Sequence, residues 1–232
     1  RRLCMNDVDP TAFSICDTNP SFAIPDGFVW KMNSSFGSIW GKEINGTGME
    51  VVSAVGTDNQ DNVYLYGTFN SNADFDGNIL VPVPAKSNAF VAKLNSGGNY
   101  MYIKQLSAED LYITEYPTDA EAPFAVDTKG NAFLGGAFAG TLDYYGNTLT
   151  SNSVPSSFYA NGFLLKLNSS GNLRWGEKFA GEVGPFDETA VHGISVSGSN
   201  LAVSSEFAYY NAYQNDTVNS DGNAFFLSAI QD

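Results

Sequence analysis

The stretch "FLLKLNSSGNLRWGEKF", residues 163–179, indicates the fold because the chain contains three similar copies of it. The gapless copies are "FVAKLNSGGNYMYIKQL", residues 90–106, and "FVWKMNSSFGSIWGKEI", residues 28–44. In each copy apolar side chains recur at every second position, small turn-forming residues follow, and a second alternating run then begins. A period of two places alternate side chains on opposite faces of a strand, and Asn, Ser and Gly favour tight turns. The stretch therefore predicts a β-hairpin.

The second strand of each hairpin carries an aromatic side chain at the same position, namely Trp40, Tyr102 and Trp175. Rings at a fixed place on repeated strands are typical of side chains that cover a neighbouring sheet. We therefore expect consecutive hairpins to lie in sheets that pack against one another.

A second unit repeats between these hairpins at a constant spacing of 69 residues. "DNQDNVYLYGTFNSNADFDGN" (58–78) matches "DTKGNAFLGGAFAGTLDYYGN" (127–147), and "VSGSNLAVSSEFAYYNAYQND" (196–216) is a weaker third copy. This unit also reads as a hairpin, and its turn contains Asn62, Asn131 or Asn200. It predicts the other two strands of a four-stranded repeat, while "FFLSAI" from residue 225 begins a fourth copy of the first hairpin.

The spacing of the repeats indicates the architecture. The hairpin copies begin 62, 73 and 62 residues apart, and the extra length of the middle copy falls in two predicted loops, 107–122 and 148–162. A four-stranded unit has two faces to bury, so the units must stack. Stacking around an axis makes a β-propeller, whereas a β-sandwich is the alternative for many short strands. We expect an all-β fold of β-propeller-type repeats, each a four-stranded antiparallel blade.

The number of blades is unusual. The chain begins at the third strand of one blade, runs through two complete blades and ends after the third strand of another, about three and a half blades. A closed propeller has about four to eight blades. We therefore expect this propeller to be incomplete or to be completed by neighbouring chains. The pattern also divides the chain into an N-terminal segment, residues 1–27, and a repeat domain, residues 28–232.

The repeat resembles the SBBP family, the seven-bladed β-propeller repeat. The resemblance rests on the hairpin 163–179, on the pattern D-x-x-G-N-x-x-x-x-G-x-F from Asp127 to Phe138, and on "ADFDGN" at 73–78. It covers most of residues 28–230, and the third copy departs from it at Val196, Ser205 and Ala212. It implies a propeller found mainly in secreted and cell-surface proteins, and it brings no catalytic residues.

Composition excludes several classes of partner. The 232 residues include 11 Lys and Arg against 25 Asp and Glu, a formal charge of −14 that repels nucleic acid and anionic membrane surfaces. No window approaches the roughly 18 to 20 apolar residues of a membrane helix, so we expect no membrane insertion. The opening "RRLCMNDVDP" is not a signal peptide, and we expect the chain to be a processed part of a longer precursor.

Cysteine and asparagine positions point to an extracellular or cell-surface location. Cys4 and Cys16 are the two cysteines, and they form either a local disulfide or two free thiols. We favour the disulfide, which would stabilise the fold by about 3 kcal/mol in the chain-entropy model. Four N-x-S/T sequons, which also suit a secreted glycoprotein, begin at Asn33, Asn45, Asn168 and Asn215.

One short motif could bind calcium. Asp74, Asp76 and Asn78 in "DFDGN" place oxygen ligands at alternate positions beside a glycine, as a calcium loop does. The matching "DYYGN" keeps Asp143 and has Tyr145 at the position of the second aspartate. The alternative is a turn in which Asp and Asn side chains bind their own backbone. No other cofactor is predicted.

The insert "AEDLYITEYPTDAEA" departs most from the repeat, and its Tyr112 and Tyr116 could contact a sugar or a protein. It could equally be a solvated loop that covers an edge. His192 is the single histidine, and we expect it to have a structural role because neither a second histidine nor a cysteine lies near it in sequence. The chain contains neither G-x-S-x-G nor a P-loop.

These features predict a non-enzymatic, secreted or cell-surface β-propeller-repeat glycoprotein. It would serve as a structural or adhesive building block, for example of an extracellular filament, sheath or appendage, with copies of itself or other extracellular proteins as partners. The alternative is a carbohydrate- or protein-binding propeller module. A polysaccharide hydrolase or lyase is the third hypothesis, although sequence does not place two carboxylates at a catalytic distance.

Overall fold

The computed structural model describes residues 4–6, 14–16, 26–114, 122–156, 159–180, 189–198, 200–207, 210–213, 216–219 and 224–231. Its side chains are described for 26–114, 122–156, 159–180, 189–198 and 200–205. Within these ranges the chain forms strands and turns and no helix, so the all-β prediction is confirmed. Accordingly, the described residues contain no helix long and apolar enough to cross a membrane.

Twenty-two strands follow one another along the described part of the chain. They are β1 (Cys4–Asn6), β2 (Ser14–Cys16), β3 (Gly27–Met32), β4 (Ser38–Gly46), β5 (Glu50–Thr57), β6 (Val63–Phe69), β7 (Ala73–Phe75), β8 (Asn78–Leu80), β9 (Ser87–Leu94), β10 (Tyr100–Ala108), β11 (Asp110–Tyr112), β12 (Phe124–Val126), β13 (Ala132–Ala139), β14 (Thr141–Tyr144), β15 (Asn147–Thr150), β16 (Asn161–Leu167), β17 (Leu173–Phe179), β18 (Thr189–Ser197), β19 (Asn200–Phe207), β20 (Tyr210–Tyr213), β21 (Asp216–Asn219) and β22 (Ala224–Gln231).

The strands form the predicted antiparallel blades. Blade 2 contains β5, β6, β9 and β10 in spatial order, and blade 3 contains β12, β13, β16 and β17. Blade 1 consists of the hairpin β3–β4, and blade 4 consists of β18, β19 and β22. The first blade therefore holds the third and fourth strands of the repeat, and the last blade holds the first three, as the repeat pattern predicts.

A small extra hairpin links each blade to the one before it. The hairpin β7–β8 leaves blade 2 and pairs with β4 of blade 1, with Asn45 opposite Asp74. The hairpin β14–β15 leaves blade 3 and pairs with β10 of blade 2, with Ser107 opposite Asp143. The third such hairpin, β20–β21, lies against β17 of blade 3. The linking hairpin thus crosses from one blade to its neighbour in the same direction each time.

The two predicted insertion loops contain strands, which corrects the sequence analysis. In the first, β10 continues to Ala108, and β11 then pairs with β13 so that Leu111 lies opposite Phe138. In the second, residues 148–150 belong to β15. These short ladders give hydrogen-bond partners to backbone N–H and C=O groups that lie beside the sheet. This explains why strands form where loops were predicted.

The core lies between the blades, because both faces of blades 2 and 3 pack against neighbouring blades. Along β6, Leu65 packs toward blade 1, whereas Tyr64 and Tyr66 pack toward blade 3. Strand β13 repeats this division, since Phe133 packs toward blade 4 and Leu134 packs toward blade 2. Removing apolar surface from water on both faces is the main force that holds stacked sheets together, at roughly 25 cal/mol per Å².

The turn before each second strand is closed by an aspartate side chain. Asp58 Oδ1 accepts hydrogen bonds from the backbone N–H groups of Gln60 and Asn62 at 2.9 and 3.1 Å. Asp127 makes the equivalent bonds in blade 3. Burial alone would raise the pKa of Asp58, but hydrogen bonds from the side chains of Asn62 and Tyr64 and from the two N–H groups lower it to about 2. The motif D-x-x-G-N therefore builds a turn.

The N-terminal strands β1 and β2 form a hairpin of their own, with Cys4 directly opposite Cys16. Directly opposed residues of an antiparallel pair have Cα atoms about 4.5 to 5.5 Å apart, which is within the range that a disulfide spans. The two cysteine side chains lie outside the described side chains, so the disulfide stays a prediction.

Candidate functional site

In blades 2 and 3, the turn between the third and fourth strands of the repeat contacts the preceding blade. In the turn 95–99, Asn95 Oδ1 accepts hydrogen bonds from the backbone N–H groups of Gly97 and Asn99, both at 3.0 Å. Asn168 closes the turn 168–172 in the same way, and Asn33 closes the turn 33–37. The three turns are therefore closed by the same side-chain hydrogen bonds.

Blade 1 binds the 95–99 turn of blade 2 through two side chains. Trp40 on β4 donates its indole N–H to the carbonyl of Ser96 at 2.9 Å, and its ring lies flat against Gly98. Lys31 on β3 donates to the carbonyl of Asp61 at 2.7 Å and reaches the carbonyl of Ser96 at 3.5 Å. The expectation that the repeated aromatic covers a neighbouring sheet is thus confirmed for Trp40.

Blade 2 binds the 168–172 turn of blade 3 with the equivalent residues. Lys93 on β9 donates to the carbonyl of Ser169 at 3.3 Å, and the Tyr102 ring lies over Gly171. Tyr144 adds a hydrogen bond from its hydroxyl to the carbonyl of Gly171 at 2.5 Å. We call this set of contacts, an aromatic ring and a lysine of one blade on the hairpin turn of the next, the docking contact.

The docking lysine of blade 2 is also part of a buried polar cluster. Lys93 is only 4% exposed, its Nζ atom lies 3.3 Å from Asp58 Oδ2, and it lies 4.7 Å from the centre of the Tyr64 ring. The Tyr64 hydroxyl lies 2.9 Å from Asp58 Oδ2 and 3.0 Å from the carbonyl of Gly130 in blade 3. Burial and the neighbouring carboxylate raise the pKa of Tyr64. Each polar group of this cluster has a hydrogen-bond or ionic partner, and the Tyr64–Gly130 hydrogen bond joins blade 2 to blade 3.

The proposed calcium ligands lie together in the turn between β7 and β8. Asp74 Oδ1 accepts the N–H of Gly77 at 2.5 Å, and Asn78 donates its amide to the carbonyl of Phe75 at 2.9 Å. Asp76 pairs with Lys42 of blade 1, with 2.5 Å between Nζ and Oδ2. Across the described residues, no group of three or more His, Cys, Asp and Glu side chains is placed to hold a metal ion. The calcium site and its alternative, a turn held by its own Asp and Asn side chains, both stay predictions.

The other predicted site residues do not meet in one place. Tyr112 lies on β11 and is 45% exposed, and burial followed by the charge of Asp110 raises its pKa. Tyr116 lies outside the described residues. His192 is a half-buried residue of β18. A groove of about 420 Å³ runs beside β11, and Leu111 and Pro82 form part of its wall.

The sequons occupy different structural settings. Asn33 is exposed in a turn that no described residue of another blade covers, whereas Asn168 is half-buried in a turn that blade 2 covers. Asn45 lies within β4, opposite Asp74. Asn215 lies outside the described residues. A glycan would therefore meet the least protein at Asn33.

A buried carboxyl group was not found by sequence reasoning. Glu50 at the start of β5 is only 1% exposed, and Ser71 donates a hydrogen bond to its Oε1 atom at 3.2 Å. No hydrogen-bond partner is described for Oε2, which is buried. Burial raises the pKa of Glu50 to about 7; the Ser71 hydrogen bond opposes this rise and the charge of Asp26 adds to it. The protonation of Glu50 therefore changes near neutral pH.

Blade 1 exposes side chains that other blades bury. Phe28 on β3 is 43% exposed, whereas Phe90 and Phe163 at the same repeat position are fully buried. Met32 is 42% exposed, whereas its counterparts Leu94 and Leu167 are fully buried. Strand β3 is at the end of its sheet, so in the described part of the chain one edge of it has no partner strand. We call this edge and the two exposed side chains the β3 edge.

No family model matches the chain, and no curated protein matches it.

Proposed function

We propose that the chain is a non-enzymatic extracellular building block that assembles with other copies of itself by completing blade 1 at the β3 edge. The single observation that carries this proposal is the exposure of Phe28 and Met32, at positions that are fully buried in blades 2 and 3. At these positions blades 2 and 3 face the preceding blade, whereas among the described residues no blade covers Phe28 and Met32 and no strand pairs with the open edge of β3.

The physical gain from completing the blade is substantial. Fully burying a Phe or Met side chain stabilises by about 1.5 to 3 kcal/mol, and a paired strand also satisfies the open N–H and C=O groups. Strand addition to an open sheet edge is a common mode of recognition. A second copy is a suitable partner because it carries strands of the same repeat, which have the matching length and apolar pattern.

The extracellular location is part of the same proposal. The sequons at Asn33, Asn45 and Asn168 support a glycoprotein, and the position of Cys4 opposite Cys16 supports a disulfide that an oxidising compartment would keep. The resemblance of the hairpin to SBBP repeats supports a secreted or surface protein. The formal charge of −14 favours a soluble building block and disfavours nucleic acid.

The test is self-association and its dependence on the β3 edge. We expect analytical ultracentrifugation to detect concentration-dependent oligomers, and negative-stain images of concentrated protein to show assembled particles. The variant Phe28→Lys/Met32→Lys should abolish both because two charges would be buried at the contact. Ile79→Lys is the matched control, since Ile79 is 51% exposed on β8, away from this edge. A strictly monomeric wild type would overturn the proposal.

The second candidate function is a carbohydrate- or protein-binding module. The exposed ring of Tyr112 on β11 favours it, because tyrosine offers a flat contact surface. Glycan-array binding that is lost in Tyr112→Ala and kept in Tyr145→Ala would support this function. A wild type that binds no glycan would count against its carbohydrate form.

A further inference from the structure

A groove lies between the linking hairpin β7–β8 and strand β10 of blade 2. Its volume is about 310 Å³, and it is lined by residues 78–80 of β8 and residues 100–103 of β10. Successive side chains of a strand point to opposite faces, so a groove lined by consecutive residues follows the edges of the two strands. We call it the β8–β10 groove, and it is separate from the groove at β11 and from the β3 edge.

Both strand edges that border this groove are open within the described part of the chain. Strand β8 is at the end of its sheet. Strand β10 pairs with β14 only at Leu106 and Ser107, so its edge from residue 100 to residue 105 has no partner strand. The Gln105 side chain donates to the carbonyl of Val81 at 3.2 Å and closes one end of the groove. The rest of the β10 edge offers backbone N–H and C=O groups to an added strand.

The matching place one repeat later, between β15 and β17, shows what the fold requires there. Lys178 donates to the carbonyl of Thr150 at 3.0 Å, which repeats the contact of Gln105. Three positions, all exposed in both places, differ in polarity. The pairs, with the residue of the β8–β10 groove first, are Ile79 and Thr148, Val81 and Thr150, and Met101 and Arg174. Polar residues therefore suffice for folding at these positions, and the fold does not explain the apolar set.

The apolar set is open to solvent and small in area. Ile79, Val81 and Met101 are 51%, 61% and 56% exposed. Exposed apolar side chains gathered at one place are typical of an interaction site. Three such side chains offer only a few hundred Å², whereas a stable interface buries about 800 Å² on each partner. The area fits a short segment of chain and is too small for the face of a second copy.

The charge beside the groove favours a cationic partner. Asp74 and Asp76 lie in the turn of the linking hairpin, and Lys42 pairs with Asp76. Burial, followed by the charges of Asp76 and Asp74, raises the pKa of Tyr100, so both carboxylates lie near this groove wall. The matching place has one aspartate in its turn and three cations. The aspartate is Asp143, and the cations are Lys104, Arg174 and Lys178. The β8–β10 groove is thus the more acidic of the two, and opposite charge on a partner would complement it.

We propose that the β8–β10 groove binds an extended peptide segment of another protein, with alternating apolar side chains flanked by Lys or Arg. The segment adds a strand to the open edge of β10. Its apolar side chains pack on Ile79, Val81 and Met101, and a flanking cation lies at the acidic turn of the linking hairpin. Binding here goes beyond the assembly of copies and does not depend on the β3 edge.

The experiment titrates the full chain, at concentrations where it is monomeric, with synthetic seven-residue peptides. In the first peptide, valine alternates with threonine between two terminal lysines; in the second, glutamates replace the lysines. We expect the lysine peptide to shift the backbone NMR signals of residues 78–81 and 100–105. The glutamate peptide should bind at least about tenfold more weakly. A third peptide, with proline in place of each threonine, should not bind because proline has no N–H for the ladder.

The decisive variant is Ile79→Thr/Val81→Thr/Met101→Arg. It copies the residues of the matching place, so the fold accepts them, and an unchanged melting temperature checks this. Affinity for the lysine peptide should fall at least about tenfold, because the apolar contacts are lost and a cation is added. Val55→Thr is the matched control, since Val55 is 61% exposed on β5, and it should bind as the wild type does.

Several results would overturn the proposal. They are the absence of shifts with millimolar lysine peptide, equal binding by the triple variant, and equal affinity for the lysine and glutamate peptides. Binding of the proline peptide would show that no strand is added. Shifts at the same residues on raising the protein concentration without peptide, lost in the triple variant, would assign the groove to a second copy. None of these results bears on assembly through the β3 edge, which sedimentation tests separately.

Discussion

The ammonium group of Lys104 lies 3.9 Å from the centre of the Tyr145 ring. One repeat earlier, the equivalent lysine is Lys42, and it forms an ion pair with Asp76, which holds the position of Tyr145. A blade and the linking hairpin that pairs with it are therefore joined once by a salt bridge and once by a cation–π contact. This explains in physical terms how the repeated element tolerates replacement of an aspartate by a tyrosine.

The Lys104–Tyr145 contact gives the first prediction. A double-mutant cycle of Lys104→Met and Tyr145→Ala, read by urea denaturation, should give a coupling energy of about 0.5 to 1 kcal/mol. The reason is that the ammonium lies over the ring face at a partly exposed site. The pair Lys104 and Ile79 serves as a control and should give no coupling. A coupling energy near zero for the first pair would mean that the contact contributes nothing.

Calcium binding at the β7–β8 turn can be decided directly. Asp76 already pairs with Lys42, and Asp74 already accepts a backbone N–H, so we expect calorimetry at millimolar calcium to give no heat of binding. Chelation should likewise leave the melting temperature unchanged. Binding heat in the wild type that disappears in Asp76→Ala would contradict this expectation and establish the calcium site.

Much of the fold follows from the sequence because its pattern is local. Alternation along "FVAKLN" predicts that Phe90 and Leu94 face one neighbour and Val91 the other, and the packing confirms it. The repeated position of Trp40 likewise predicts contact with the next blade. These inferences need only the period of two and the spacing of the copies.

The linking hairpins, such as β7–β8, and the docking contact could not be predicted in the same way. Strands β7 and β8 have three residues each, too few to display a period, and Asp74 pairs with Asn45 of another blade. The alignment shows glycine at residues 98 and 171 and Phe36 in the first copy, but it does not show why glycine is there. The reason is the Trp40 ring that lies over Gly98 in the structure. Such contacts are set by which blades are neighbours in space, and local sequence does not contain that information.

The buried lysine gives a third prediction with a matched control. Lys93→Ala should destabilise the protein by about 3 kcal/mol or more, because it leaves the Asp58 carboxylate buried without its counter-charge. Lys31→Ala removes the equivalent lysine of blade 1, which is only half-buried and has no carboxylate partner among its described hydrogen bonds, and should cost less than about 1 kcal/mol. Urea denaturation of both variants measures the difference. Equal losses would show that burial of the pair is not what determines its contribution.

The N-terminal cysteines give a fourth prediction. Because Cys4 lies opposite Cys16 in the β1–β2 ladder, we expect mass spectrometry of denatured protein to find both thiols alkylated only after reduction. Reduction should lower stability by up to about 3 kcal/mol in the chain-entropy model. Full alkylation without reductant, in protein purified from an oxidising compartment, would show that the thiols are free.

The buried Glu50 carboxyl gives the last prediction, a dependence of stability on pH. Its pKa is about 7 in the folded chain against 4.5 in the unfolded chain, so the folded state binds the proton more tightly. The resulting stabilisation is fully present below pH 4.5 and is lost as the pH rises toward 7. Asp58 acts in the opposite sense, because its pKa falls from 3.8 to about 2 and its contribution is lost as the pH falls through that range.

Together the two groups place maximum stability near pH 4 to 5. Urea denaturation between pH 4 and pH 8 should show the wild type losing about 1 to 3 kcal/mol toward the alkaline end. Glu50→Gln should flatten this slope, because glutamine fills the same space and does not titrate. Glu177→Gln, at an accessible position of β17, is the control and should keep the wild-type slope. An unchanged slope in Glu50→Gln would assign the pH dependence to another group.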